Sequence, residues 1–186
     1  FRPKFNEILN KYTITWKNAD GSVLAEQKVE YDSVPEYPGA TPVKTGDAQY
    51  SYSFAGWNPA VVAVTGDATY TATFTQQTNK YTVTWVNWDG AVLQEAEEVE
   101  YGTQPVYRGE TPVKHGDAQY SYEFAGWTPT VTEVTGAITY TATFTTVVNK
   151  YTVTWVNFDG TELATETYAY GTTPKYSGAE PVRAAD

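Results

Sequence analysis

The sequence predicts a mainly β protein made of tandem repeats of about 70 residues. The segment KYTVTWVNWDGAVL at residues 80–93 returns in similar form from Lys11 and from Lys150. Apolar and hydroxyl residues alternate through each copy, and this two-residue period is typical of a β-strand with one buried face. The chain of 186 residues also contains 16 Tyr, 7 Phe and 6 Trp, and aromatic residues favour strands over helices.

Further motifs recur in the same order and predict where each repeat begins and ends. AQYSYSFAGW from Ala48 matches AQYSYEFAGW from Ala118, and VTGDATYTATFT from Val64 matches VTGAITYTATFT from Val134. The first residues of the chain align with the last strand of these copies, and the final segment aligns only with their first half. The sequence therefore predicts four parts: residues 1–10 as the last strand of a preceding repeat, 11–79 as repeat 1, 80–149 as repeat 2, and 150–186 as the first half of repeat 3.

The alternation in repeat 2 predicts four strands, at residues 81–87, 91–101, 119–127 and 139–145. Residues 131–134 are expected to form a short edge strand or a loop. Asp89 and Gly90 are expected to supply the positive φ angles of a tight hairpin turn between the first two strands. The Pro and Gly residues of the connection at 102–118 exclude a long helix, but they allow one short helical turn near 111–116.

The second strand of repeat 2 is expected to contain a β-bulge. Between its Leu and Tyr landmarks, residues 93–101, it has one residue more than the corresponding stretches 24–31 and 163–170. One extra residue would turn every later side chain to the opposite face of the sheet. A bulge within residues 94–98 is therefore needed to absorb it.

The recurring large side chains predict the core. They occupy one face of the alternating strands or the end of the third strand, and they are Trp16, Trp57, Trp85, Trp127, Trp155, Tyr120, Tyr122, Phe124, Tyr140 and Phe144. Trp88 does not recur, since Ala19 and Phe158 occupy its position in the other hairpins. Trp88 and Phe158 are therefore the candidate ligand contacts, which either stack on a sugar ring or pack on a neighbouring repeat.

The half-repeat at residues 150–186 raises the question of what covers its apolar face. Tyr151, Val153 and Trp155 would lie bare on one side of a lone hairpin, and a lone hairpin is marginally stable in water. Another copy of the chain or a continuation of the same polypeptide could cover that face. Alternatively, the hairpin folds back on repeat 2 and needs no partner.

Composition argues against several classes of function. The net charge is −10, which argues against binding to nucleic acid or to anionic membranes, because both require a basic face. No apolar run is long enough to span a membrane, so no membrane insertion is expected. The absence of Cys excludes disulfides and thiolate metal sites.

No motif in the sequence points to catalysis. His115 is the single histidine and has no counterpart in the other repeats, so it is expected to be a surface residue. The residues Asn87–Gly90 lack the alternating carboxylates of a calcium loop. Glu95, Glu97, Glu98 and Glu100 could pair for glycoside hydrolysis, but repeat 1 does not keep the set, and a solvated strand face is the preferred interpretation. We therefore expect no catalytic residue, no cofactor and no metal.

The ordered motifs resemble those of a known family. A strand ending in Trp, a DG turn, then VEY, TPVK, FAGW and TYTATF in units of about 70 residues is similar to the Listeria–Bacteroides repeat, also described as the internalin B-repeat of Gram-positive surface proteins. This resemblance implies a small β-grasp-like (ubiquitin-like) sheet, here with a reduced helix. It also implies an extracellular place at the cell surface or cell wall of a bacterium, and no shared catalytic residues.

The favoured hypothesis is a non-enzymatic stalk or spacer in an adhesin-like surface protein. The short segments between repeats, without Gly or Pro, favour a semi-rigid array. The alternative is a module that binds a glycan or a host surface protein through its aromatic hairpin tips. The expected partners are accordingly neighbouring repeats or another copy of the chain, and under the alternative a glycan or a host protein.

Overall fold

Strands make up all the regular secondary structure in the computed structural model, which describes residues 8–183. The first four-stranded sheet contains β1 (Lys11–Lys17), β2 (Val23–Glu30), β3 (Tyr50–Asn58) and β4 (Ala68–Thr78). The second contains β5 (Lys80–Val86), β6 (Val92–Glu100), β7 (Tyr120–Thr128) and β8 (Ile138–Val148). A two-stranded sheet follows, with β9 (Lys150–Val156) and β10 (Glu162–Ala169). The predicted fold class, mainly β with tandem repeats, is confirmed.

The chain divides into two compact units, Phe1–Tyr81 with Glu100–Gly102, and Thr82–Val99 with Thr103–Asp186. Most of the strand predicted at residues 1–10 falls outside the described residues, and Ile8, Leu9 and Asn10 form no strand. Within residues 8–183, no helix has the length and apolar character required to cross a membrane.

The two four-stranded sheets share one topology. Their strand orders are β2-β1-β4-β3 and β6-β5-β8-β7. The central pair of the first sheet is parallel, with Ile14 opposite Ala68 and Trp16 opposite Tyr70. The outer pairs β1–β2 and β3–β4 are antiparallel. Parallel strands must be joined by a long crossover connection. This requirement explains the long connection between the second and third strands of each repeat.

That crossover contains no helix, so the short helical turn allowed near residues 111–116 is absent, and residues 131–134 form a loop. In place of a helix, an aromatic side chain of the connection packs against the tryptophans of the sheet. Tyr107 lies 5.5 Å from Trp85 and 4.8 Å from Trp127, measured between ring centroids. Pro105 and Pro112 of the same connection are buried. The irregular connection thus closes the apolar face of the sheet with side chains rather than with a helix.

The hairpin between β5 and β6 differs from the predicted tight turn. Gly90 has a positive φ of 86°, but Asp89 does not have a positive φ. The Gly90 N–H donates to the Asn87 carbonyl at 2.9 Å, and the Asn87 N–H donates to the Ala91 carbonyl at 2.8 Å. This is a three-residue loop, a type I turn followed by a left-handed Gly. The prediction that both residues supply a positive φ was therefore wrong for Asp89.

The motif FAGW contains a β-bulge that the alternation pattern did not predict. The β7–β8 register shifts between Phe124 and Gly126, and Gly126 has a φ of 119°. Phe124 and Trp127 are three residues apart and would face opposite sides of a regular strand. The bulge brings both rings to one side, where their centroids lie 5.4 Å apart. The glycine thus lets two bulky side chains of one strand enter the same core.

The burial alternation of β6 is interrupted in the segment where a bulge is predicted, and the bulge itself stays a prediction. Gln94 is partly buried, Glu95 and Ala96 are both exposed, and partial burial resumes at Glu97. In β2 the alternation from Ala25 onward has no such double exposed step. The interruption lies inside the predicted segment 94–98, and Val99 keeps the partial burial of its counterpart in β2.

Substitution of Gly126 tests the role of the bulge. Ala at this positive φ is expected to destabilise the protein by about 1–3 kcal/mol, because residues with a Cβ are strained there. Urea unfolding followed by tryptophan fluorescence measures the change. Gly136→Ala is the matched control, since Gly136 lies in open space without a positive φ, and its effect should stay within about 0.5 kcal/mol. Equal effects of the two substitutions would show that the bulge is not the constraint.

Trp127 tests the aromatic core. Its ring lies 4.7 Å from Trp85, 4.8 Å from Tyr107 and 5.4 Å from Phe124. Trp127→Ala is expected to cost about 3–5 kcal/mol, as loss of a large core aromatic does, and thermal melting would measure it. Trp88→Ala removes a side chain that is 51% exposed and should change stability little. A Trp127→Ala protein that melts like its parent would remove this residue from the core.

Candidate functional site

The first loop of each repeat has the same backbone framework. In all three loops the Asn N–H donates across the loop at 2.8 Å, and the Gly N–H donates to the Asn carbonyl at 2.9 Å. The Asn18 side-chain amide donates to the Val43 carbonyl at 3.2 Å, and the Asn87 amide donates to the Val113 carbonyl at 3.0 Å. These bonds attach the first two loops to the crossover connection, and they fix the position of those two tips.

The aspartates of these loops stabilise the turn. The Asp20 carboxylate accepts the backbone N–H and the hydroxyl of Ser22, at 2.9 Å and 2.6 Å. The Asp159 carboxylate accepts the same groups of Thr161. These hydrogen bonds, the hydroxyl one above all, hold the pKa of Asp20 and the pKa of Asp159 below the ordinary value. No group of three metal-ligating side chains that could hold an ion occurs among residues 8–183.

At each tip, the residue after the Asn varies between repeats, and a Lys or Arg of the connection lies close to it. Trp88 is 51% exposed, and the Lys114 ammonium lies 4.7 Å from its ring centroid and 4.0 Å from that of Tyr122. In the third hairpin Phe158 is 68% exposed and the Arg183 guanidinium lies 5.1 Å from its ring. These are cation–π contacts at exposed sites. Each of the two exposed rings therefore has a cation beside it.

The first tip has the cation without the aromatic residue. Lys44 lies 3.8 Å from the Tyr52 ring, while Ala19 takes the position of Trp88. A surface pocket of about 420 Å³ opens there, lined by Asn18, Ala19, Asp20, Val43, Lys44 and Thr45. The three tips thus differ mainly in one side chain on a common backbone. Trp88 and Phe158 were predicted from the sequence, but the cations beside them were not, although they end the recurring motifs TPVK and PVR.

A second cluster joins the third hairpin to the β7–β8 sheet. The Asn149 side-chain amide donates to the carbonyls of Asp117 and Ala118, at 2.8 Å and 3.3 Å. The Tyr151 hydroxyl donates to the Ala118 carbonyl at 2.6 Å, and the Asn149 carbonyl accepts the Tyr170 N–H at 2.8 Å. Asn149 therefore bonds to both elements at once. We call this set, Asp117, Ala118, Asn149, Tyr151 and Tyr170, the junction cluster.

The same contacts recur before β5. The Asn79 amide donates to the carbonyls of Asp47 and Ala48, and the Tyr81 hydroxyl donates to the Ala48 carbonyl at 2.6 Å. The Tyr101 N–H donates to the Asn79 carbonyl at 2.9 Å. The Asn and Tyr of the Asn-Lys-Tyr motif at residues 79–81 and 149–151 therefore donate hydrogen bonds to the segment before the preceding third strand. This role was not predicted from the sequence.

The third hairpin also contains a polar network on its partly covered face. The Glu166 carboxylate accepts hydrogen bonds from the Tyr168 hydroxyl, from the Ser177 hydroxyl at 2.9 Å and from the Trp155 indole N–H at 3.3 Å. These bonds, the one from Tyr168 above all, lower the pKa of Glu166 below its ordinary value. The same bond raises the pKa of Tyr168.

The predicted core residues differ in burial. Trp16 and Trp85 are 1% exposed and Tyr140 is fully buried. The remaining predicted core residues are partly buried, and they are Trp57, Trp127, Trp155, Tyr120, Tyr122, Phe124 and Phe144. Trp57 lies 4.6 Å from Trp16, so the two repeats build equivalent clusters.

The acidic residues of β6 do not form a carboxylate pair. The Glu97 carboxylate lies 2.8 Å from the Arg108 guanidinium, and the Glu98 carboxylate accepts the Thr82 hydroxyl at 2.6 Å. Glu100 lies 3.6 Å from Lys80. Since these carboxylates each have a separate partner, their arrangement is that of a solvated strand face. His115 is exposed on the connection.

Comparison with known proteins gives a structural likeness but no family. No protein-family model matches the sequence, and no curated protein matches it significantly. The chain is similar to "Streptococcal High Identity Repeats in Tandem (SHIRT) domains 3-4 from cell surface protein", with 14% sequence identity and a TM-score of 0.33, covering 75% of this chain and 99% of that chain. A likeness at this TM-score supports no conclusion about function.

Proposed function

We propose that the chain is a non-enzymatic stalk made of tandem β-grasp-like modules, which holds another domain away from the cell wall of a bacterium. The observation that carries this proposal is the junction cluster. Asn149 and Tyr151 donate three hydrogen bonds to the carbonyls of Asp117 and Ala118. A spacer must resist bending where one module follows another, and these bonds attach the third hairpin to the segment that leads into β7.

Two further features support the same proposal. The motifs resemble those of the Listeria–Bacteroides repeat of surface proteins, which implies an extracellular location. Neither Cys nor Met occurs in the sequence, and these are the side chains most easily oxidised outside a cell. The parallel central strand pair of each four-stranded sheet is the feature that supports the β-grasp-like description.

Loosening the junction cluster tests the stalk proposal. In the Asn149→Ala, Tyr151→Phe double variant, the third hairpin is expected to reorient independently of the β7–β8 sheet, because its side-chain hydrogen bonds to Asp117 and Ala118 are gone. Backbone ¹⁵N relaxation of residues 152–169 compared with residues 120–148 measures this. Thr152→Ala, an exposed change in β9, should leave the two relaxation profiles matched. Identical relaxation in the parent and the double variant would mean that the cluster does not confer stiffness.

The role itself needs a test on cells. The chain is inserted between a peptide tag and a cell-wall anchor and compared with a Gly-Ser linker of equal residue number, which behaves as a flexible coil. Antibody binding to the tag should be higher with the chain than with the linker, and the double variant should fall between them. Equal tag exposure with the chain and the linker would overturn the stalk function.

The exposed tip aromatics favour a second proposed function, in which the tips bind a glycan or a host protein. Trp88 and Phe158 present large rings at 51% and 68% exposure, beside cations that could contact hydroxyl or carboxylate groups. Sugars stack on such rings, and an exposed Trp on a fixed loop loses little conformational freedom on binding.

A matched pair of variants tests tip binding. On a glycan array, Trp88→Ala should reduce the signal by about tenfold or more, equivalent to at least 1.4 kcal/mol. Ala19→Trp should increase the signal, because it places the same ring at the first tip beside Lys44. If the parent binds nothing, or if neither substitution changes its binding, the tips are not a ligand site and the stalk function stands alone.

A further inference from the structure

β5 and β9 have the same sequence but different surroundings. Both contain the octapeptide KYTVTWVN, at residues 80–87 and 150–157. β5 has β6 on one edge and β8 on the other, whereas β9 pairs only with β10 among the described residues. The local sequence is identical, so any difference between the two strands is due to what lies beside them.

The apolar face of β5 is closed by the strand that β9 lacks. β8 runs parallel to β5, with Val83 opposite Ile138 and Trp85 opposite Tyr140. The Tyr140 ring stacks on the Trp85 ring at a centroid distance of 4.6 Å. With this cover, Val83 is fully buried and Trp85 is 1% exposed.

The same two side chains remain partly uncovered on β9. Val153 and Trp155 are each partly exposed. Trp155 is within aromatic range of Tyr176, at 5.4 Å, which is the counterpart of Tyr107 in repeat 2. Its indole N–H donates to Glu166 on β10. These contacts come from the β10 side and from the connection, and they leave the other edge of β9 without a strand partner in the described residues.

We propose that this edge of β9 is a strand-acceptor site. Its occupant is an extended segment with the alternating Tyr-x-Ala-x-Phe pattern of β8, which adds in parallel, with its residue equivalent to Ile138 opposite Val153 and its Tyr on Trp155. The backbone supplies main-chain hydrogen bonds and the alternate side chains supply specificity, as in other cases of strand addition. This site does not depend on the stalk function, since it rests only on the pairing within one repeat.

The requirements on the occupant come from repeat 2. Tyr140 and Ala142, which lie inward on β8, are buried, and Phe144 packs 6.0 Å from Phe124. Val134, just before β8, is 1% exposed. A strand with polar residues at these positions could pair its backbone but could not cover Val153 and Trp155.

The test uses the full chain and a synthetic peptide of residues 131–149, extended by two lysines for solubility. Hydrogen exchange of the β9 amides is measured by NMR with and without the peptide. At saturating peptide, the amides on the free edge of β9 are expected to exchange at least about tenfold more slowly. The amides of β5 serve as an internal control with the same intrinsic rates, and their exchange should not change.

Two controls make the outcome decisive. A peptide with Tyr140→Ser and Ala142→Asp keeps the outward face but removes the inward one, and it should leave β9 unchanged. A fusion that appends residues 118–149 after Asp186 supplies the strand in the same chain, and should protect β9 even if the free peptide aggregates. If the fusion leaves β9 unprotected, the proposal is wrong. If protection instead follows chain concentration without any peptide, the edge is a contact between copies of the chain and the proposed occupant is wrong.

Discussion

The structure depends on the burial of one tryptophan in a central strand of each four-stranded sheet. Trp16 has three rings around it, Tyr37, Trp57 and Tyr70, at 5.5, 4.6 and 4.9 Å. Those rings come from the connection, from β3 and from β4. Each such aromatic pair contributes about 0.5–1.5 kcal/mol beyond the area it buries. A module without Cys or a helix among its described residues is therefore held by an aromatic cluster that draws on three strands and the connection.

This arrangement has an identifiable cost. The indole N–H groups of Trp16 and Trp85 are buried without a hydrogen-bond partner, which costs about 1–3 kcal/mol each. Burying about 150–250 Å² of an aromatic side chain contributes about 4–6 kcal/mol. Burial therefore outweighs the lost hydrogen bond. The partly buried Trp155, in contrast, donates its indole N–H to Glu166.

The sequence predicted what depends on periodicity. The strands, the crossover without a long helix and the inward faces all follow from alternation and from Pro and Gly content. It predicted the positive φ of Gly90, but it did not predict that the loop has three residues with no positive φ at Asp89. It also did not predict the bulge at Gly126, because alternation alone does not show that a glycine inside a strand has a positive φ.

The candidate sites were harder to predict because their residues come from separate segments. Trp88 was identified because it breaks the repeat, but Lys114, whose ammonium lies 4.7 Å from its ring, belongs to the connection. The junction cluster was missed for the same reason, since Asn149 bonds to carbonyls of Asp117 and Ala118, and a carbonyl has no signature in the sequence. Only the folded chain shows such pairs.

Because β5 and β9 lie within the same octapeptide, comparing them separates the effect of local sequence on strand formation from the effect of tertiary packing on burial. Its strand conformation forms in both places, and on β9 it forms with pairing to β10 alone among the described residues. The burial of its tryptophan is not local, because Trp85 has Trp127 and Tyr140 within 4.7 Å and Trp155 is only partly buried. A strand of this sequence is therefore present without a complete core. It follows that the second half of each repeat, more than the first hairpin, decides whether the aromatic core closes.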